Sequence, residues 1–131
     1  MQERKYRGLS YETNTFVYGW LHQTKYESSK YFIRIFPKED DEYVDVVVDK
    51  NTIGQEIGQT DKYGVKIFEG DIVKRTYNDG QYVELAVVEY DDYDCKFIFQ
   101  GFNYDLDIHF DRLEVIDNIY ENPELLYHLK P

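Results

Sequence analysis

The chain is short of cysteine: Cys95 is the one thiol in 131 residues. A single thiol forms no intrachain disulfide and cannot supply the two or more thiolates of a Cys-based zinc site. It suits a reducing compartment. Alanine, the strongest helix former, is represented by Ala86 alone, which argues against a helical chain. No apolar run approaches the roughly 20 residues of a membrane-spanning helix. The first residues, Met1-Gln2-Glu3-Arg4-Lys5-Tyr6-Arg7, lack the apolar stretch of a signal peptide. These absences together predict a cytoplasmic protein with no membrane partner. Serine is scarce as well, and none of Ser10, Ser28 and Ser29 lies in the Gly-x-Ser-x-Gly setting of an exposed nucleophile.

Aromatic residues are plentiful. They make up 18% of the chain, with 14 Tyr and 8 Phe. Disordered chains are poor in aromatics, so this one is expected to fold. Tyr, Phe, Val and Ile favour the pleated, half-buried surface of a sheet. The net charge is −11 and unevenly placed. Residues 1–38 hold seven Lys/Arg against three Asp/Glu, a net +4, and the remainder carries −15. The overall field repels nucleic-acid backbone and anionic membrane, while the basic first third can pair with the acidic remainder within one chain or between copies.

Turn residues punctuate the chain. Short strands are expected at Arg4 to Arg7, Phe16 to Leu21, Tyr31 to Phe36 (stopped by Pro37) and Tyr43 to Asp49, with Glu39 to Glu42 as a solvated acidic loop. Asp61-Lys62-Tyr63-Gly64 predicts a tight turn, opened by Asp and closed by a positive-φ Gly, and Glu69-Gly70-Asp71 a second. Asn78-Asp79-Gly80 marks a hairpin between Val73-to-Tyr77 and Tyr82-to-Tyr90. Asp91-Asp92-Tyr93-Asp94 turns into Lys96 to Phe99, and Tyr104 to Phe110 is the next expected strand. Asn122-Pro123-Glu124 reads as a helix start, with Asn as N-cap and Pro at the first helical position. The pattern predicts an all-β protein, a small barrel-like or SH3-like arrangement of sheet with a short C-terminal helix.

Residues 52–73 also carry a resemblance. Thr52-Ile53-Gly54-Gln55, Asp61-Lys62-Tyr63-Gly64 and Ile67-Phe68-Glu69-Gly70-Asp71-Ile72-Val73 resemble the core motif of the YopX family of small bacteriophage and prophage proteins. Arg4-Lys5-Tyr6-Arg7 and Val17-Tyr18-Gly19 resemble its N-terminal strands, and the segment from Leu113 to Leu126 its C-terminal signature. The chain departs from the family at Leu9, where Trp is usual, and at Glu56-Ile57-Gly58-Gln59. The resemblance implies one domain over residues 1–126 with a tail at 127–131. It also implies a phage setting in a bacterial host's cytoplasm, a β-rich fold and self-association. It supplies no catalytic residues. Its structural positions are Gly54, Asp61, Gly64, Glu69, Gly70, Asp71, Asn122 and Pro123.

The sharpest chemical pattern is Asp105-Leu106-Asp107-Ile108-His109-Phe110-Asp111. On a strand, Asp105, Asp107, His109 and Asp111 would share one face, a weak candidate for a cation. Alternate residues on one strand stand about 7 Å apart, too far to converge on one ion, so a wet polar face is the simpler reading. Asp91, Asp92 and Asp94 lack the following bidentate Glu of a calcium loop and read as an acidic turn. The glycines at 54, 58, 64 and 70 match neither phosphate-loop spacing. Cys95 reads as a structural residue at a strand edge. No enzyme activity and no cofactor are expected.

The leading expectation is a non-enzymatic, homo-oligomeric interaction module with a host or phage protein as a further partner. Two alternatives stand beside it. Lys30-Tyr31-Phe32-Ile33-Arg34-Ile35-Phe36 interleaves base and aromatic as nucleic-acid stacking surfaces do, though −11 opposes it. The acidic rows at 39–42, 91–94 and 105–111 could instead imitate nucleic acid and inhibit a host protein.

Overall fold

The computed structural model describes residues 5–24, 26, 29–36, 42–77, 80–102 and 108–128. Ten strands account for most of them, in two antiparallel sheets. The chain divides into two compact units, residues 1–56 and 57–131.

In the first unit, four strands lie in the order β4-β3-β2-β1. They are β1 (Tyr6–Leu9), β2 (Phe16–His22), β3 (Tyr31–Ile35) and β4 (Val44–Val48). The first residues of β5 (Gly54–Thr60) extend this sheet, Gly54 and Gln55 pairing with Arg7 and Tyr6. Period-two alternation sorts the side chains. One face takes Tyr18, Trp20, Phe32 and Arg34; the other takes Leu21, Ile33 and Val46, as the registers Trp20↔Arg34, Ile33↔Leu21 and Ile33↔Val46 require. Ile33, fully buried, and Val48 anchor the second face. The sheet coils until its outer strands touch. Ser10 bridges Val48, and Asp49 N–H donates to the Leu9 carbonyl at 2.9 Å. Gly8 permits this approach, because a Cβ there would meet the Val48 side chain at 2.9 Å. A single bridge is not a ladder. Among the described residues the expected barrel-like sheet is curled but no closed barrel forms.

The second unit is built on a sheet of order β10-β7-β8-β9. Its strands are β7 (Asp71–Tyr77), β8 (Tyr82–Asp91), β9 (Lys96–Gln100) and β10 (Leu113–Asn118). The remainder of β5 runs beside β6 (Lys66–Phe68). Ile57, Ile67, Val73, Ala86, Val88, Phe99, Phe102 and Leu113 form one buried cluster. Val73 opposes Ala86 and Val115, and Val88 opposes Phe99, so a single face of the sheet supplies most of it.

The turns follow the sequence closely. Gly64 and Gly70 take φ +80° and +87°. At Gly70 two demands coincide: a positive φ, and a Tyr120 ring carbon 2.6 Å from where a Cβ would sit. The predicted β7–β8 hairpin is present, with Asn78 and Asp79 outside the described residues. Several expectations need correction. The polar run Gly54–Thr60, to which the sequence pattern assigned no element, is a strand, its first residues paired with β1. The described end of the expected strand Tyr104 to Phe110 is not extended pairing: Ile108 and His109 are irregular, and Phe110–Arg112 is a 3-10 helix. The C-terminal helix begins at Pro123 as predicted but is a 3-10 helix, Pro123–His128. The Asn122 amide donates to Asp117. Cys95 is an exposed turn residue at φ +54°, not a strand-edge packing residue.

Candidate functional site

The first unit presents an aromatic face with a cation fixed inside it. Strand alternation puts Trp20 and His22 of β2 beside Arg34 and Phe32 of β3. The Trp20 and Phe36 rings meet edge to face at 5.5 Å, and Phe36 continues to Tyr43 at 6.0 Å. Edge-to-face contact matches the positive rim of one ring to the negative face of the next. Phe36 and Tyr43 are nonetheless half exposed, at 49% and 52%. Trp20, Leu21, His22, Arg34 and Phe36 line an open groove of about 520 Å³.

Arg34 is held from two sides. Its Nε and Nη2 donate to the two carboxylate oxygens of Asp45 at 2.9 and 3.0 Å. Its guanidinium carbon lies 3.7 Å from the centre of the Tyr43 ring. The fork-to-carboxylate fit fixes the plane of the guanidinium. Hydrogen bonding to Arg34 holds the Asp45 carboxyl below the usual carboxylate range, against the opposing effect of burial. The same bond raises Arg34. Lys5 sits 5.5 Å from the Trp20 ring centre, a further cation on an aromatic. The arrangement can stack a flat or aromatic group and hold it beside fixed cations.

The sequence motif of residues 61–71 is structural. Asp61, 5% exposed, accepts from the backbone N–H of Tyr63 and Val65 with one oxygen and of Val115 with the other, at 2.8 to 2.9 Å. Lys62 N–H donates to the Leu113 carbonyl. The Asp61 turn therefore satisfies backbone groups along β10, 54 residues away. Burial by itself would raise the Asp61 pKa; the three N–H donors and Lys62 outweigh it and keep the carboxyl below its ordinary value. Asp71 closes its turn by accepting from Phe68 N–H at 2.8 Å. Gly70 donates to the Val88 carbonyl and accepts from Ile119 N–H. Gly54 is buried at the start of β5, Glu69 is half-buried in its turn, and Asn122 and Pro123 stand at the C-terminal 3-10 helix.

The other sequence candidates do not assemble. His109 is exposed and precedes the Phe110–Arg112 helix, while Asp105 and Asp107 lie outside the described residues. Among the described residues no three His, Cys, Asp or Glu side chains group as metal ligands would. Asp91, Asp92 and Asp94 form the turn between β8 and β9, where the Asp91 carboxylate accepts from Tyr93 and Asp94 N–H. The acidic residues 39–41 fall outside the described set. Sequence reading singled out Arg34 and Phe36 in the basic-aromatic run but not their partners Trp20, Tyr43 and Asp45. Alternate aromatics in Phe16 to His22 were the available signal.

Two antiparallel sheets linked by short turns, with no described helix long and apolar enough to cross a membrane, define a small all-β protein. The family model for YopX protein matches residues 5–127, and the chain belongs to the YopX family. The crystal structure of protein EF1440 from Enterococcus faecalis is similar, with a TM-score of 0.59 and 23% identity over 96% of this chain and 99% of that one. At that identity the likeness concerns the fold alone. No curated protein matches the chain.

Proposed function

We propose that the protein is a non-enzymatic accessory protein of a phage or prophage, acting as a self-associating interaction module in the host cytoplasm. The observation that carries this is the groove of Trp20, Arg34 and Phe36. It sets the half-exposed Phe36 ring, just past the end of β3, against Trp20 of β2, and aromatic and Arg side chains are the usual anchors of protein interfaces. Light scattering across a range of concentrations tests it. The account expects a mass above the 15.8 kDa chain; a monomer at every concentration contradicts it.

A second reading, nucleic-acid binding by the basic-aromatic face, is favoured by one observation. Phe32 and Arg34 share a face with Trp20 and His22. Against it, the Arg34 charge is paired with Asp45 through Nε and Nη2 and the net charge is −11. Fluorescence polarisation with single- and double-stranded oligonucleotides at two salt levels separates the readings, since phosphate binding weakens as salt rises.

A further inference from the structure

We propose that the aromatic groove of the first unit binds a basic segment of a partner protein, with an arginine or lysine side chain of that segment seated on the Phe36 ring. This rests on the groove being an interaction surface, as proposed above, and not on self-association.

The rings Trp20, Phe36 and Tyr43 form a series, and they are not alike. Trp20 carries Lys5, 5.5 Å from its ring centre, and Tyr43 carries the Arg34 guanidinium at 3.7 Å. Phe36 stands between them, 5.5 Å from Trp20 and 6.0 Å from Tyr43, and among the described residues no cation lies on it. It is 49% exposed. Arg7 over Phe16, at 4.4 Å, is a third cation–aromatic pair in the same unit. The unit thus seats its own cations on its rings and leaves the middle ring of the series without one. A ring face attracts a cation through its quadrupole, and more strongly where other groups exclude water. Arginine suits the place best, because its flat guanidinium stacks on a ring and its stem packs on apolar surface.

The charge around the groove favours the same guest. Arg34 and Asp45 cancel as a pair at 2.9 Å. The six residues that join Phe36 to Tyr43 hold Glu39, Asp40, Asp41 and Glu42 against Lys38, a net −3, and adding Lys5 still leaves −2. Both ends of that stretch are rings of the series. None of its residues is therefore farther from one ring residue or the other than about 11 Å of fully extended chain. That is close to the Debye length of about 10 Å at 0.1 M salt, so these carboxylates act on the groove whatever path the stretch takes. Glu42, next to Tyr43, is exposed. At longer range the net −11 of the chain attracts a basic partner and repels a phosphate backbone or a second copy. A groove of about 520 Å³ holds a side chain or two of an extended segment, not a folded domain.

The test uses the full-length protein at low concentration, where self-association is weakest, and a short peptide of alternating arginine and glycine. A matched peptide carries citrulline, the uncharged counterpart of arginine, at each Arg position. The one tryptophan of the chain, Trp20, lines the groove, so its emission reports occupancy. The arginine peptide should bind, change Trp20 emission and bind more weakly as salt rises; the citrulline peptide should do none of these. Phe36→Leu keeps apolar bulk but removes the ring and should weaken binding about tenfold. Phe36→Tyr restores the ring and should bind as the wild type does, with circular dichroism confirming the fold of each. Asp40→Asn with Asp41→Asn and Glu42→Gln should weaken binding more than Asp91→Asn with Asp92→Asn and Asp94→Asn, which removes the same charge from the β8–β9 turn. An arginine peptide that leaves Trp20 unchanged overturns the proposal, as does equal binding of the citrulline peptide. Binding indifferent to Phe36→Leu, or equally weakened by the two triple variants, reduces the effect to general charge and also overturns it. Trp20 emission shifted by an oligonucleotide and not by the peptide transfers the groove to nucleic acid. Scattering mass of the protein alone reports self-association separately, so either claim can fail while the other stands.

Discussion

In residues 57–131 three phenylalanines are core: Phe68, Phe99 and Phe102 are buried, with Phe99 stacked on Phe102 at 5.8 Å, while Tyr63, Tyr82, Tyr90 and Tyr93 face solvent. In residues 1–56 the rings stand at the surface, and the described hydrophobic residues that are fully buried there are Ile33 and Val48. The same residue types serve opposite ends. A unit with a broad aliphatic core draws its stability from removing that surface from water. A unit with a thin core leans on its ladders, its bridge at Ser10 and Val48, and its cation–aromatic contacts, and leaves its rings available to a partner.

The strongest test of this contrast is Leu113→Ala. Leu113 is fully buried in the second unit, so the cavity should cost about 3 kcal/mol in urea unfolding followed by circular dichroism. Next comes Asp61→Ala, which strands the N–H groups of Tyr63, Val65 and Val115 and should cost about 2 kcal/mol. Acid sharpens the same point. The Asp61 pKa is lowered on folding, so its contribution is complete above the unfolded carboxylate value near 3.9 and is lost as pH falls through the lower folded value. Asp61→Asn should therefore flatten the decline of stability below about pH 4. In the first unit, Ile33→Val should cost about 1 kcal/mol, read through Trp20 fluorescence, because it removes one methyl group from a fully buried side chain. Smallest of all, Phe36→Ala should change folding stability by no more than about 0.5 kcal/mol, since half of that ring already faces solvent. A large loss there would make Phe36 a core residue and erase the contrast.

The fold was legible where composition and local geometry agree. Phe16–His22, Tyr31–Ile35 and Val44–Val48 are β-branched and aromatic runs that read as strands and are strands. Asp61, Gly64 and Gly70 announce turns because carboxylate capping and positive φ are local requirements. Long-range partners were not legible. That the second Asp61 oxygen reaches Val115 depends on how β10 is placed, and no neighbouring residue encodes it. β5 was missed because Gly54, Gln55 and Glu56 are extended through pairing with β1 and not through their own preference. The groove was half visible. The aromatic spacing is in the sequence, but the meeting of Trp20 with Arg34, and of Arg34 with Asp45, follows from two strand registers.

The most direct measurement is hydrogen–deuterium exchange of the full chain at high and low concentration. The account predicts that dilution removes protection from residues 18–22 and 32–36, while amides of β7 and the core part of β8 stay equally protected. Protection that does not change with concentration, or a change centred on β7 and β10, would contradict the division of labour between a stabilising second unit and a recognising first one.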